Sequence, residues 1–225
     1  MPLKALIFDF DGLILDTETP DLAAWQEIFA EHGAELDHGF WCQFVGRHGG
    51  MPDVVAHLEQ QVGRMLDGES ILMRRRARCM EMIHALSPRP GVERWLIDAR
   101  ARSLQCAVAS SSSLLWVDGH LERLGLRQHF SGVRCRDHVA RTKPDPDVYL
   151  AALDHLGVAP SEAIAIEDSP HGVTAAKAAG IFCLAVPNEV TRPLDFRHAD
   201  MIADSLEHVS LTDITSARGE STRTL

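Results

Sequence analysis

The sequence predicts an α/β protein in which a parallel, doubly wound sheet is interrupted early by a helical insert. Three observations carry that reading. A short apolar run, Leu3 to Phe8, stops abruptly at Asp9-Phe10-Asp11-Gly12. Helical periodicity alone then fills the stretch from Thr17 to about Leu86. From Arg89-Pro90-Gly91 onward, strand-like and helix-like segments alternate, the pattern that leaves a parallel sheet covered by helices on both faces.

The elements follow in order. Leu3 to Phe8 is rich in strand formers and reads as a buried strand. In the insert, Leu22, Trp25, Ile28 and Phe29 recur at helical spacing, as do apolar residues from Ser70 to Ala85. Trp25, Phe29 and Trp41 lie on such apolar stripes and are expected in the insert's own core. Beyond it, Leu104–Ala109 reads as a strand, Leu114–Leu124 as a helix closed by Gly125, and Gly132–Cys135 as a strand. Pro146–Leu156 reads as a helix closed by Gly157 and Ala163–Ile166 as a strand. Pro170–Ala179 reads as a helix closed by Gly180, and Phe182–Val186 as a strand. The polar residues Ser216 to Leu225 are expected as a loose tail.

A chain of 225 residues, 45% of them apolar, can build one large domain or a catalytic domain carrying a smaller insert. Acidic residues outnumber basic ones by 32 to 22, which argues against the broad positive face that nucleic acid requires. A phosphate-handling site in such a chain must find its positive charge locally, in a metal ion, one lysine or the N–H groups at helix starts. The five cysteines, Cys42, Cys79, Cys106, Cys135 and Cys183, are odd in number and far apart, suggesting neither a metal site nor a disulfide framework. A reducing compartment is the simple reading. The amino terminus reaches acidic residues within nine positions, so neither a signal peptide nor a membrane span is expected there. A soluble cytoplasmic protein without a membrane partner follows; its oligomeric state is not legible, and a monomer is compatible with the sequence.

In an open parallel sheet, ligands bind beyond the carboxyl ends of the strands. Polar residues at those exits are the candidates for chemistry: Asp9 and Asp11, Ser110, Lys143 in a loop before a helix, then Glu167 and Asp168. Cleaving a phosphate monoester requires an aligned nucleophile, a proton donor for the leaving oxygen and positive charge on the transferring group. Asp9 suits the nucleophile, forming an aspartyl-phosphate, and Asp11 the acid that becomes the base. Alone, a D-x-D is more often a turn; its place after a buried strand is what promotes it. Glu167 and Asp168 beside Asp9 would gather carboxylates that repel one another unless a cation lies among them, and Mg2+ prefers such oxygen donors. Asp168 is the stronger ligand, with Glu167 binding directly or through water. The pair also reads as the approach to a helix start at Ser169-Pro170. Lys143 is held between prolines in Arg141-Thr-Lys-Pro-Asp-Pro146, as a fixed point charge would be, although most lysines are simply exposed. Ser110 opens the run Ser110 to Ser113, whose hydroxyl and following N–H groups, from Ser111 on, either cradle phosphate or cap a helix.

In order and spacing these stretches resemble the haloacid dehalogenase-like superfamily of phosphotransferases, in the branch that includes β-phosphoglucomutase and small sugar-phosphate phosphatases. The matching segments are Asp9-Phe-Asp-Gly-Leu-Ile-Leu-Asp-Thr17, Val108-Ala-Ser110, Lys143-Pro-Asp-Pro146, and Ile166-Glu-Asp-Ser-Pro-His-Gly172 with Ala175 to Gly180. The resemblance covers nearly the whole chain. It implies a Rossmann-like doubly wound core over 1–16 and 88–225 and an inserted α-helical cap over 17–87 that closes on substrate. It implies Asp9 as nucleophile, Asp11 as acid/base, and Ser110, Ser111 and Lys143 around the phosphate. It places Mg2+ on Asp9, the backbone oxygen of Asp11, Glu167 and Asp168. Thr17 and Arg47 match positions that the mutase-like branch uses near the phosphate or the entering group, and Arg47 could clamp a second anion with its planar fork; a surface ion pair is its ordinary alternative. His171, beside the last motif, reads first as part of a helix start.

One departure bears on function. Where the mutase carries a histidine that couples cap closure to transfer onto a sugar, this chain has Asp21, a carboxylate expected to repel a phosphorylated substrate. The expected function is a magnesium-dependent phosphatase for a small phosphorylated metabolite such as a sugar phosphate, acting through an aspartyl-phosphate on Asp9. A β-phosphoglucomutase-type mutase, and a catalytically idle binding protein on the same fold, are the alternatives. A dehalogenase is disfavoured, since that chemistry needs neither Asp11 nor the acidic pair Glu167 and Asp168.

Overall fold

The computed structural model describes residues 2–41 and 51–221, and the chain divides into two compact units, Met1–Leu15 with Ser87–Leu225, and Asp16–Leu86. Six parallel strands build the first unit: β1 (Ala5–Phe8), β2 (Gln105–Ala109), β3 (Gly132–Arg134), β4 (Ala163–Glu167), β5 (Phe182–Ala185) and β6 (Met201–Ile202), in the order β3-β2-β1-β4-β5-β6. The order reverses between β1 and β4, where a doubly wound sheet opens its ligand crevice. Phe8 pairs with Val108 on one side and Ile166 on the other, so the next residues along, Asp9 and Glu167, stand side by side.

The second unit holds α1 (Glu18–Glu31), α2 (His38–Trp41), α3 (Met51–Val62) and α4 (Gly68–His84). Trp25, Phe29 and Trp41 are buried there, as the apolar stripes predict. Helices α1 and α4 pack together and are laced by Asp21–Arg75 (2.5 Å), Glu27–Arg78 (2.8 Å) and Glu31–Arg74. The two exposed pairs add little to stability, since water and salt screen them. Asp67 caps α4, its side chain accepting from the Ser70 N–H.

Around the sheet run α5 (Val92–Ala101), α6 (Leu114–Arg123), α7 (Asp147–Leu156), α8 (Pro170–Ala178) and α9 (Leu211–Ser221). One face of the sheet, including Ala5, Ile7, Ala107, Ala109, Ala165 and Cys183, packs on Val148, Tyr149 and Ala152 of α7 and Val173 and Ala176 of α8. Alternation along a strand turns Leu6, Phe8, Val108 and Ile166 to the other face, and all four are fully buried. Burial on both faces explains why the strands read as continuous apolar runs. Each fully buried Leu, Ile or Phe contributes about 1.5–3 kcal/mol.

Gly125, Gly157 and Gly180 follow α6, α7 and α8 with left-handed φ, as expected of helix ends. The carboxyl-terminal segment departs from expectation. Ser216 to Ser221 belongs to α9 and is not a loose tail; Leu211 and Ile214 anchor the helix in the core, and Ser210 and Asp213 exchange capping hydrogen bonds at its start. A polar outer face concealed a helix held by two buried side chains. Residues 222–225, with Cys42 and Arg47, lie outside the described residues. The four cysteines within them are free and buried, and burial pushes the Cys106 and Cys135 thiols up to about 12.

Candidate active site

The residues expected at the strand exits converge at the carboxyl end of the sheet. Asp9 follows β1, and its N–H still donates to Ile166 O (2.9 Å), so the ladder continues past the strand and fixes this residue beside Glu167. Glu167 ends β4 and is fully buried, while Asp9, Asp168 and Lys143 are 6%, 2% and 8% exposed. The Lys143 ammonium donates to Asp9 Oδ1 at 2.5 Å and to Glu167 Oε1 at 2.6 Å. Tyr149, in the first turn of α7, donates its hydroxyl to the same Glu167 oxygen at 2.6 Å, and its ring centroid lies 5.2 Å from Lys143 Nζ.

Electrostatics here are dominated by burial. Loss of water raises the Asp9 carboxyl to about 7 against the pull of Lys143, with Glu167 and Asp11 adding to the rise. Burial also works to strip Lys143 of its proton, but Asp9 and Glu167 outweigh it and hold the ammonium above its ordinary range. Burial first, and then Glu167, push the Tyr149 phenol well up, so it remains a donor.

Asp168 occupies a second compartment of the same cluster. Its Oδ2 accepts from Asn188 Nδ2 at 2.7 Å, and Asn188 is oriented by the N–H groups of Val190 and Thr191, each 2.9 Å from its Oδ1. Gly12, at φ +79°, lies close enough to Asp168 that a Cβ there would come within 2.1 Å of Oδ2, so only glycine serves. Arg89 donates from its guanidinium to the carbonyls of Gly12, Val186 (3.3 Å) and Pro187 (3.2 Å), tying the loops after β1 and β5 together.

Asp9, Glu167 and Asp168 each present a carboxylate oxygen, all within 4.8 Å of one another. The donors are all oxygen, buried, and outnumber the single ammonium among them, which fits a hard divalent cation. Glu167 Oε1 is committed to Lys143 and Tyr149, whereas its Oε2 accepts a long hydrogen bond from the Ser169 hydroxyl, at 3.4 Å.

Ser110 is buried at the exit of β2, where its Oγ accepts from the Ser112 N–H (3.0 Å) and points to Asp11 Oδ2 at a long 3.4 Å. The helix-capping role belongs to Ser113, whose hydroxyl accepts from the Trp116 N–H at 3.3 Å. Ser111 is half-buried between them. Ser169 caps α8, accepting from the Gly172 N–H at 3.1 Å, with His171 in the first turn. Thr17, in the other unit, is buried at the start of α1. Asp21 is not the unopposed charge the sequence suggested: Arg75 meets it at 2.5 Å, and the same guanidinium lies 5.6 Å above the Trp25 ring.

Sequence reasoning missed Tyr149, Asn188, Arg89 and Trp116. Asn188 lies three residues past β5, within reach of the strand-exit rule applied to the other strands. Tyr149 is the chain's one tyrosine, on an otherwise apolar helix face. Arg89 and Trp116 carry no local signal, because their partners are distant in sequence.

Known proteins resemble this chain along most of its length. The family model for haloacid dehalogenase-like hydrolases matches residues 6–186. YhcW of Bacillus subtilis (strain 168), which bears the name of a phosphatase, is 43% identical over 209 residues, covering 93% of this chain and 94% of its own. Validoxylamine A 7'-phosphate phosphatase of Streptomyces hygroscopicus subsp. limoneus is 30% identical over 96% of both chains. CbbY from Rhodobacter sphaeroides in complex with phosphate superposes with a TM-score of 0.71 at 29% identity, over 95% of this chain and 99% of that one. A mutant of it in complex with xylulose-(1,5)bisphosphate gives 0.70 at 28% identity, over 92% and 96%. The chain belongs to the haloacid dehalogenase-like hydrolase family and stands among its phosphatases.

Proposed function

We propose that the protein is a magnesium-dependent phosphatase that moves the phosphoryl group of a small phosphorylated sugar or related metabolite onto Asp9 and then to water. The observation that carries this reading is the buried juxtaposition of Asp9, Lys143, Glu167 and Asp168 at the switch point of the sheet. Relatives that act on or bind validoxylamine A 7'-phosphate and xylulose-(1,5)bisphosphate support the substrate class.

In this reading an Asp9 oxygen attacks phosphorus while the bond to the leaving oxygen breaks, and Asp11 delivers a proton to that oxygen. Lys143 and the N–H groups of the Ser110–Ser111 turn hold the non-bridging phosphate oxygens. Water then attacks the aspartyl-phosphate, giving its proton to Asp11 and releasing inorganic phosphate with Asp9 restored. Asp9, Asp168 and the backbone oxygen of Asp11 would hold Mg2+, with Glu167 binding directly or through water, and the ion would supply neutralising charge for the phosphoryl group. The helical unit, residues 17–87, would serve as the cap to a core of 1–16 and 88–225, excluding water and bringing Thr17 to substrate.

The mutase remains the second reading because it shares every core residue. Asp21, engaged with Arg75, cannot supply the donor that the mutase histidine provides. A hydrolysis screen across phosphorylated sugars, glycolate, polyols and nucleotides, with and without Mg2+, tests the assignment. Supplied with β-glucose 1-phosphate and a glucose 1,6-bisphosphate primer, the enzyme should release phosphate and form little glucose 6-phosphate. Glucose 6-phosphate appearing much faster than phosphate overturns the phosphatase in favour of the mutase.

A further inference from the structure

Two side chains on and before α6 donate to Asp11. Ser112 Oγ donates to Oδ2 at 2.6 Å, and the Trp116 indole N–H donates to Oδ1 at 2.9 Å. The indole itself is held: its ring meets the buried His120 edge-on at 4.3 Å, and His120 stacks on Phe10, the residue before Asp11, at 6.2 Å. The loop is closed, so Trp116 and Asp11 are placed by the same packing.

We propose that Trp116 and Ser112 are positioning residues for the acid step, and that together they assign the transferable proton to one oxygen of Asp11. This rests on the reading of Asp11 as the acid. An indole N–H can only donate, so Trp116 holds Oδ1 in the accepting role. A serine hydroxyl can turn and accept, so Oδ2, between Ser112 and Ser110, is the oxygen that can bear the proton. As the bond between phosphorus and the leaving oxygen breaks and that to Asp9 forms, the proton on Oδ2 passes to the leaving oxygen, and Oδ2 later receives one from the attacking water. The indole keeps Oδ1 turned away from this exchange.

A positioning role predicts an effect that scales with the need for a proton, which loss of structure does not. Phenolate, from an alcohol of pKa roughly 10 like that of tyrosine, leaves poorly without one; p-nitrophenolate, a much weaker base, leaves readily. The experiment measures kcat/KM for phenyl phosphate and p-nitrophenyl phosphate, which reports the transfer to Asp9, in the Mg2+-loaded full-length enzyme. Trp116→Phe, which keeps the ring and removes the donor, should lose about tenfold on phenyl phosphate and under threefold on p-nitrophenyl phosphate. Ser112→Ala should behave alike, and Ser112→Thr, which keeps the hydroxyl, should restore the wild-type ratio. Equal losses on both esters, or none, overturn the positioning role. Asp11→Asn separates the two ideas. If it discriminates between the esters and Trp116→Phe and Ser112→Ala do not, the positioning role alone is wrong; if it does not discriminate, Asp11 is not the acid and both fall. Should Trp116→Phe fail to fold, as judged by circular dichroism, the Ser112 pair decides.

Discussion

Gly172→Ala adds one methyl group to α8, against the buried Glu167, and should unsettle the charge cluster. A Cβ at this position would lie 1.9 Å from Glu167 Oε2 and 2.0 Å from its Cδ. Glu167 is fully buried and held by Lys143 and Tyr149 at 2.6 Å each, so it cannot swing aside without breaking them. Breaking a buried ion pair costs about 3–5 kcal/mol, while replacing a helical glycine by alanine recovers about 1 kcal/mol. The net loss is about 2–4 kcal/mol, or roughly 5–15 °C in Tm at 2–4 °C per kcal/mol for a chain of this size. Gly119→Ala is the matched control, inside α6 with nothing within 4 Å of its Cβ, and should raise Tm by a few degrees. Thermal unfolding followed by circular dichroism in chelator compares the two. A Gly172→Ala protein as stable as wild type, or more so, refutes the view that Glu167 is pinned.

Three further outcomes are expected. Asp9→Asn should reduce turnover at least about a thousandfold, since an amide is a very poor nucleophile toward phosphorus; activity within tenfold of wild type, a barrier change of about 1.4 kcal/mol, rules the assignment out. Asp168→Ala should weaken Mg2+ binding at least tenfold by calorimetry, with Asn188→Ala showing a smaller loss in the same direction; unchanged binding in Asp168→Ala removes that residue from the metal site. The Asp9 carboxyl, raised from 3.8 to about 7, costs the metal-free fold stability as pH climbs through that window, and asparagine carries no such cost. The Tm of Asp9→Asn minus that of wild type should therefore rise between pH 5 and pH 8, and a flat difference contradicts the raised pKa.

Much of this was legible because strand exits in a parallel sheet are marked twice, by where an apolar run ends and by what ends it. Asp9, Ser110 and Glu167 all sit at such breaks, and register alone then sets Asp9 beside Glu167. Lys143 was legible from its loop, but its partners were not, because pairing with two carboxylates depends on how the loop before α7 folds back over β1 and β4. Asp21 shows the limit of substituting one residue for another in thought: the carboxylate was visible, whereas Arg75, fifty-four positions away, was not. Helix α9 was obscured because Leu211 and Ile214 are its buried anchors while its visible surface resembles a tail.

The backbone N–H of Arg89 donates to Ile14 O at 2.9 Å, and its side chain grips Gly12, so the core's two broken ends are stitched before the chain departs at Leu15 and after it returns at Ser87. Closing a longer loop across such a stitch costs only about 0.6 kcal/mol per doubling of length. The sheet and its acidic cluster thus make few demands on what is spliced between those ends. Exchanging the segment wholesale should leave the sheet intact, and the point of grafting is marked by a single arginine.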